Sequence, residues 1–79
     1  MDVLLVRWVD SSFQHGWRGI EELKQELAEI VSVGILAQKD KEKLVLMLCY
    51  DKGNENFADG MVIPMCAVKS IKKIAEVEK

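Results

Sequence analysis

The sequence predicts a mainly β (α+β) domain: a small five-stranded barrel with one helix inserted between strands 1 and 2. Three observations carry this. From Val33 to Ile74 short apolar runs alternate with polar, turn-forming clusters, the signature of strands in a meander. From Ile20 to about Glu29 the hydrophobic period is 3.6, and from Val31 it becomes two. With 79 residues, the chain is a single domain over positions 1–79, and a domain of that size buries only about 60% of its unfolded surface.

Val3, Leu4, Leu5, Val6, Trp8 and Val9 form a β-branched and aromatic run, read as strand one over residues 2–9. Asp10-Ser11-Ser12 ends it, because short polar side chains offer the backbone a local turn. The segment from Asp10 to Gly19 has no period and holds Phe13, His15, Trp17 and Arg18. Ile20, Leu23, Leu27 and Ile30 or Val31 recur at helical spacing, with Glu21 and Glu22 where they complement the positive end of a helix dipole. A helix over Ile20 to about Glu29 is expected, capping one open end of the barrel. Val31, Val33, Ile35 and Ala37 alternate with polar or small residues as strand two. The charged run Lys39 to Lys43 suits an exposed hairpin. Leu44 to Tyr50 is continuously apolar, which predicts a third strand covered on both faces. Asp51 to Asn56 is a polar turn, Gly60 to Ile63 a short fourth strand, and Pro64 ends it by removing a ladder donor. One turn at Met65 to Ala67 then precedes a last strand from about Ser70 to Ala75. Val68, Ile71, Ile74 and Ala75 also fit a helix, and the alternative architecture is a three-stranded sheet with two helices.

The hydrophobic fraction is 49% and the charged fraction 30%, more apolar material than a small monomer hides easily. Self-association is the expected outlet. Eleven basic and thirteen acidic residues give a net charge of −2, which excludes the broad positive field of a duplex-DNA binder but permits a local basic patch. Two cysteines, Cys49 and Cys66, sit in apolar sequence and read as reduced core residues. The apolar run Val3 to Val6 is interrupted by Arg7 and has no cleavage-site pattern, and no stretch approaches about 18 apolar residues. A cytoplasmic protein with no membrane partner is the expectation.

The phrase Met61-Val62-Ile63-Pro64-Met65-Cys66-Ala67-Val68-Lys69-Ser70-Ile71 resembles the closing segment of Sm-like and related SH3-like small barrels, in which a one-turn helix separates the last two strands. Trp8-Val9-Asp10, His15-Gly16-Trp17, Ser32-Val33-Gly34-Ile35-Leu36 with its charged hairpin, and Ile63-Pro64 together resemble a group of uncharacterised small phage and prophage proteins of Gram-positive bacteria. That resemblance implies a mobile-element origin and an accessory role, and no catalytic residue.

Catalytic equipment is sparse. Asp10, Ser11, Ser12 and His15 are types used in nucleophilic catalysis, but triad members normally converge from separate elements, and Asp-Ser-Ser is also a common turn. His15 is the only histidine, and with Cys49 and Cys66 it lacks the paired spacing of a zinc site. The loop from Asp51 departs from a calcium loop at Gly53 and Glu55. No phosphate loop or dinucleotide fingerprint is present, so neither enzyme activity nor a cofactor is expected. The candidate ligand-binding residues are Trp17, Arg18, Phe13 and His15, since aromatic faces and a guanidinium stack a base and fork onto a phosphate. A candidate nucleic-acid surface is Lys39, Lys41 and Lys43 on the hairpin with Lys69, Lys72 and Lys73 on the last strand. Charged hairpins and edge lysines also serve simply to keep a sheet soluble. The expected function is a non-enzymatic, homo-oligomeric binding protein whose partners are itself and a host protein or small ligand. Sm-like RNA or nucleotide binding is the alternative.

Overall fold

In the computed structural model, which describes residues 1–78 apart from Phe13 and His15, five antiparallel strands form one sheet. They are β1 (Asp2–Asp10), β2 (Ala28–Lys39), β3 (Lys43–Asp51), β4 (Asn56–Pro64) and β5 (Val68–Glu76), in the order β4-β3-β2-β1-β5. The mainly β class, the five strands and the single turn at Met65–Ala67 follow the sequence reading. The tail is strand, not helix. Its pairing with β1 is extended at the termini, where the Met1 amino group donates to the Val77 carbonyl (2.6 Å) and Val77 N–H donates to the Met1 carbonyl (2.7 Å).

Side-chain alternation builds the core on one face of this sheet. Leu4 and Val6 of β1, Leu44 and Leu46 of β3 and Ile63 of β4 are buried together, with Trp8, Leu36, Met65, Val68 and Ile71 packed around them. Gly34 of β2 faces this cluster at close quarters: a Cβ there would lie 2.9 Å from Leu46 Cβ and 3.1 Å from the Met47 carbonyl. A side chain is excluded so that β2 can approach β3. On the opposite face Leu5 pairs with Val33, Val3 with Ile35, and Val45 with Val62. Val31, Val33 and Val62 are exposed there, so this second face is apolar and uncovered.

Two parts of the expected architecture are corrected. Among the described residues no α-helix lies between β1 and β2: the helical residues there are the single 3-10 turn Ile20–Glu22, and β2 has already begun at Ala28. The reason is physical. A ten-residue helix is marginal in water unless its apolar stripe is packed, and Ile20, Leu23 and Leu27 are all exposed. Gly19 supplies no side-chain cap. In addition, hydrogen bonds from Ser12 Oγ to the Glu26 carbonyl (2.8 Å) and between Gln14 and Lys24 hold the flanks extended. With the helix goes the expected cap on the barrel.

The sheet is also not closed. β4 pairs with β3 and β5 pairs with β1, while the Met65–Ala67 turn, held by Met65 N–H on the Glu42 carbonyl (2.9 Å), carries the chain from one edge to the other. No ladder joins β4 to β5 among the described residues, and closure requires one at every strand. β2 and β3 pair only from Ile35↔Met47 to Lys39↔Leu44, so the outer half of the β3–β4 hairpin leaves the sheet. The third strand is therefore covered only along Leu44 to Met47. Leu48 is 64% exposed and Cys49 is exposed. The outcome is an elongated molecule, 55 × 22 × 21 Å. Its radius of gyration is 16.2 Å, against about 12 Å for a compact chain of this length.

Candidate interaction surfaces

The first surface is an arm formed by the segment between β1 and β2. Backbone pairing of the two strands ends at Asp10↔Ala28, but the same register continues in side-chain form. Ser12 Oγ donates to the carbonyl of Glu26. The Gln14 amide donates to the carbonyl of Lys24 (2.7 Å) and accepts from its N–H (3.2 Å). The hydroxyl and the amide thus stand where ladder groups would be, and the hairpin projects beyond the sheet. Gly16, at φ 89°, turns the chain at the tip, a backbone region open to glycine at little cost. Trp17 then stands fully in solvent at 104% exposure, with Arg18 beside it and Ile20 at 87%. Of the four candidate ligand-binding residues, Trp17 and Arg18 share this tip. Phe13 and His15 lie outside the described residues.

The second surface is a notch of about 200 Å³ where β2 and β3 part beyond Ile35↔Met47, lined by Ser32, Val33, Met47, Leu48, Asp59 and Met61 among others. One wall is organised by a short relay: Trp8 Nε1 donates to Ser32 Oγ (3.1 Å), and the Ser32 hydroxyl donates to Met61 Sδ (3.7 Å). Asp59, two residues before Met61 in β4, also lines the notch and takes the left-handed conformation (φ 58°). Only a few per cent of non-glycine residues do so, Asp and Asn most readily. The sequence reading missed this notch. Its signal was the Asp59-Gly60 pair inside an apolar run, a bulge-like interruption of strand four.

The candidate lysines do not form one basic field. Lys43 pairs with Asp40 (3.7 Å), Lys69 with Glu29 (3.3 Å), and Lys73 with Asp2 (3.3 Å) and Glu76 (3.6 Å). Lys39, Lys41 and Lys72 are exposed. Hydrogen bonding to Asp2 and the neighbouring carboxylates raise the Lys73 pKa. In the β2–β3 turn, the backbone N–H groups of Glu42 and Lys43 donate to the Asp40 carboxylate (2.8 and 3.0 Å) and hold its pKa below 3.8. Asp51 is lowered likewise, first by the Asn54 side chain (2.9 Å) and then by the N–H groups of Asn54 and Gly53. Both aspartates tie turns rather than face a ligand.

Cys49 and Cys66 are exposed free thiols, not the core residues expected. The chain places them on a surface because Cys49 lies beyond the covered part of β3 and Cys66 in the Met65–Ala67 turn. Asp10 accepts from Ser11 N–H (2.8 Å) and Ser12 bonds Glu26, so two members of the Asp-Ser-Ser cluster serve local structure. Among the described residues no group of three His, Cys, Asp or Glu could hold a metal ion. Among the described residues no helix is long and apolar enough to cross a membrane.

Comparison with known proteins finds no matching family model, no matching curated protein and no matching solved structure. The surfaces themselves therefore carry the functional argument.

Proposed function

We propose that this protein is a non-enzymatic interaction module that works as a homo-oligomer. One observation carries the reading: among the described residues, eleven large hydrophobic side chains are exposed while only six are buried. Single exposed apolar residues need no explanation, but contiguous patches mark places where another surface sits. Here they include Val31 and Val33 on the open sheet face, Leu48 and Met61 at the notch, and Trp17 and Ile20 on the arm. A second copy is the one partner guaranteed to be present, and an open sheet with two free edges has not saturated its own pairing capacity. The biological setting suggested by the resemblance to small phage proteins is an accessory role in the host cytoplasm, with a host protein as a further partner. Light scattering across the micromolar range tests the reading: a mass at a multiple of the 9.0 kDa chain supports it, and a strict monomer at every concentration refutes it.

A second reading rests on Trp17 standing exposed beside Arg18, a pair suited to stacking a base and holding a phosphate. In that case single-stranded RNA is retained on a filter at low salt and released as salt rises. No retention at low salt excludes it.

A further inference from the structure

We infer that Trp17, on the arm of one copy, seats in the notch between β2 and β3 of a second copy; this rests on the self-association proposed above and names the contact that produces it. The notch measures about 200 Å³, below the 300 Å³ or more typical of small-ligand pockets, and on the scale of one large side chain. Its walls are chiefly apolar, from Val33, Met47, Leu48 and Met61. Asp59 among the lining residues brings a carboxylate, an acceptor suited to an indole N–H, whereas the Ser32 hydroxyl already accepts from Trp8 Nε1. Buried tryptophans need such a partner for that group.

The occupant is argued from the same molecule. Trp17 is fully exposed, a state with no benefit to an isolated chain. Arg18 follows it, so the guanidinium would arrive at the rim where Asp59 supplies the opposite charge. Tryptophan and arginine are the residues most often found to dominate interfaces when one fills a pocket on the partner. Asp59 holds a left-handed backbone at the notch, and such strain in a non-glycine residue tends to persist where a site is being shaped. A chain cannot easily fill its own notch: the Ser12–Glu26 and Gln14–Lys24 hydrogen bonds fix the arm pointing away along the hairpin axis, and Trp17 would have to fold back past them. Two copies exchanging arms satisfy both knobs and both notches, giving a closed two-fold dimer.

The test is a pair of variants at exposed positions, Trp17→Ala and Leu48→Glu, whose folding is checked by circular dichroism. Each is expected to weaken self-association at least about 10-fold, measured by sedimentation equilibrium. Mixed together they keep one intact knob and one intact notch, so the mixture is expected to associate more tightly than either variant alone. Wild-type association in folded Trp17→Ala or Leu48→Glu overturns the inference while leaving self-association standing. A mixture no tighter than its components also overturns it, since Trp17 then acts within its own chain or on another partner. A monomeric wild type removes both this contact and the reading beneath it.

Discussion

Gly34→Ala probes how closely β2 must approach β3. The added methyl would sit 2.9 Å from Leu46 Cβ, whereas carbon atoms in contact prefer about 3.5–4.0 Å. The obstacle is a Cβ and the Met47 carbonyl at 3.1 Å, neither of which can swing aside as the end of a flexible side chain can. β2 and β3 must therefore separate beside Leu36↔Leu46, one of the few pairs that join them. Overpacking of this kind costs about 1–3 kcal/mol. Replacing glycine also stiffens the unfolded chain, which returns about 0.4–1 kcal/mol. Taking the middle of each range, the net loss is about 1.3 kcal/mol, and at about 4–8 °C per kcal/mol for a domain of this size the midpoint falls by roughly 5–10 °C. Thermal unfolding followed by circular dichroism reads this directly. Gly53→Ala is the control, because its nearest neighbour is Asp51 Oδ1 at 3.5 Å, and it should shift stability by no more than about 0.5 kcal/mol. A Gly34→Ala variant as stable as wild type would refute the claim that the two strands are in limiting contact there.

Two further outcomes follow from the core and the turns. Leu44→Ala removes a fully buried side chain from the centre of the cluster. The cost of about 2–5 kcal/mol is a large share of the roughly 4–12 kcal/mol expected for a domain of this length, so its chemical denaturation midpoint should drop sharply or the variant should be unfolded. Asp40 and Asp51 have pKa values lowered in the folded state. Their contribution is thus present above the ordinary aspartate value of 3.8 and lost as pH falls through the lowered values. The midpoint should fall on acidification below about pH 4, and the double variant Asp40→Asn with Asp51→Asn should show a shallower acid limb. An unchanged limb would mean the turns do not depend on those carboxylates.

Much of the sheet was legible because its signals are local. The β-branched run of β1, the alternation in β2 and the continuous apolar run of β3 each specify strand within a few residues. The Pro64 stop and the turn at Met65 to Ala67 were equally plain. What misled was the segment from Ile20 to Glu29, where local pattern and tertiary environment disagree. The 3.6 period is present, but among the described residues nothing buries Ile20, Leu23 and Leu27, so helical propensity alone does not prevail. The same limit applies to Leu48 and Cys49. An apolar run states that residues can be buried, not that a neighbouring strand reaches far enough to bury them, and β2 leaves β3 at Ile35↔Met47. Turn detail was also hidden: the left-handed position of the β3–β4 turn is taken by Glu55 (φ 54°), not Gly53. At the candidate site, Trp17 and Arg18 were visible by residue type. The notch was not, because it exists only where two strands diverge.

Sedimentation velocity of the wild-type chain over a wide concentration range bears most directly on the central claim that its exposed apolar surface exists to meet a second copy. The expected boundary shifts from monomer to dimer or larger with rising concentration. A single sedimentation coefficient that stays at the monomer value up to high micromolar concentration would contradict it.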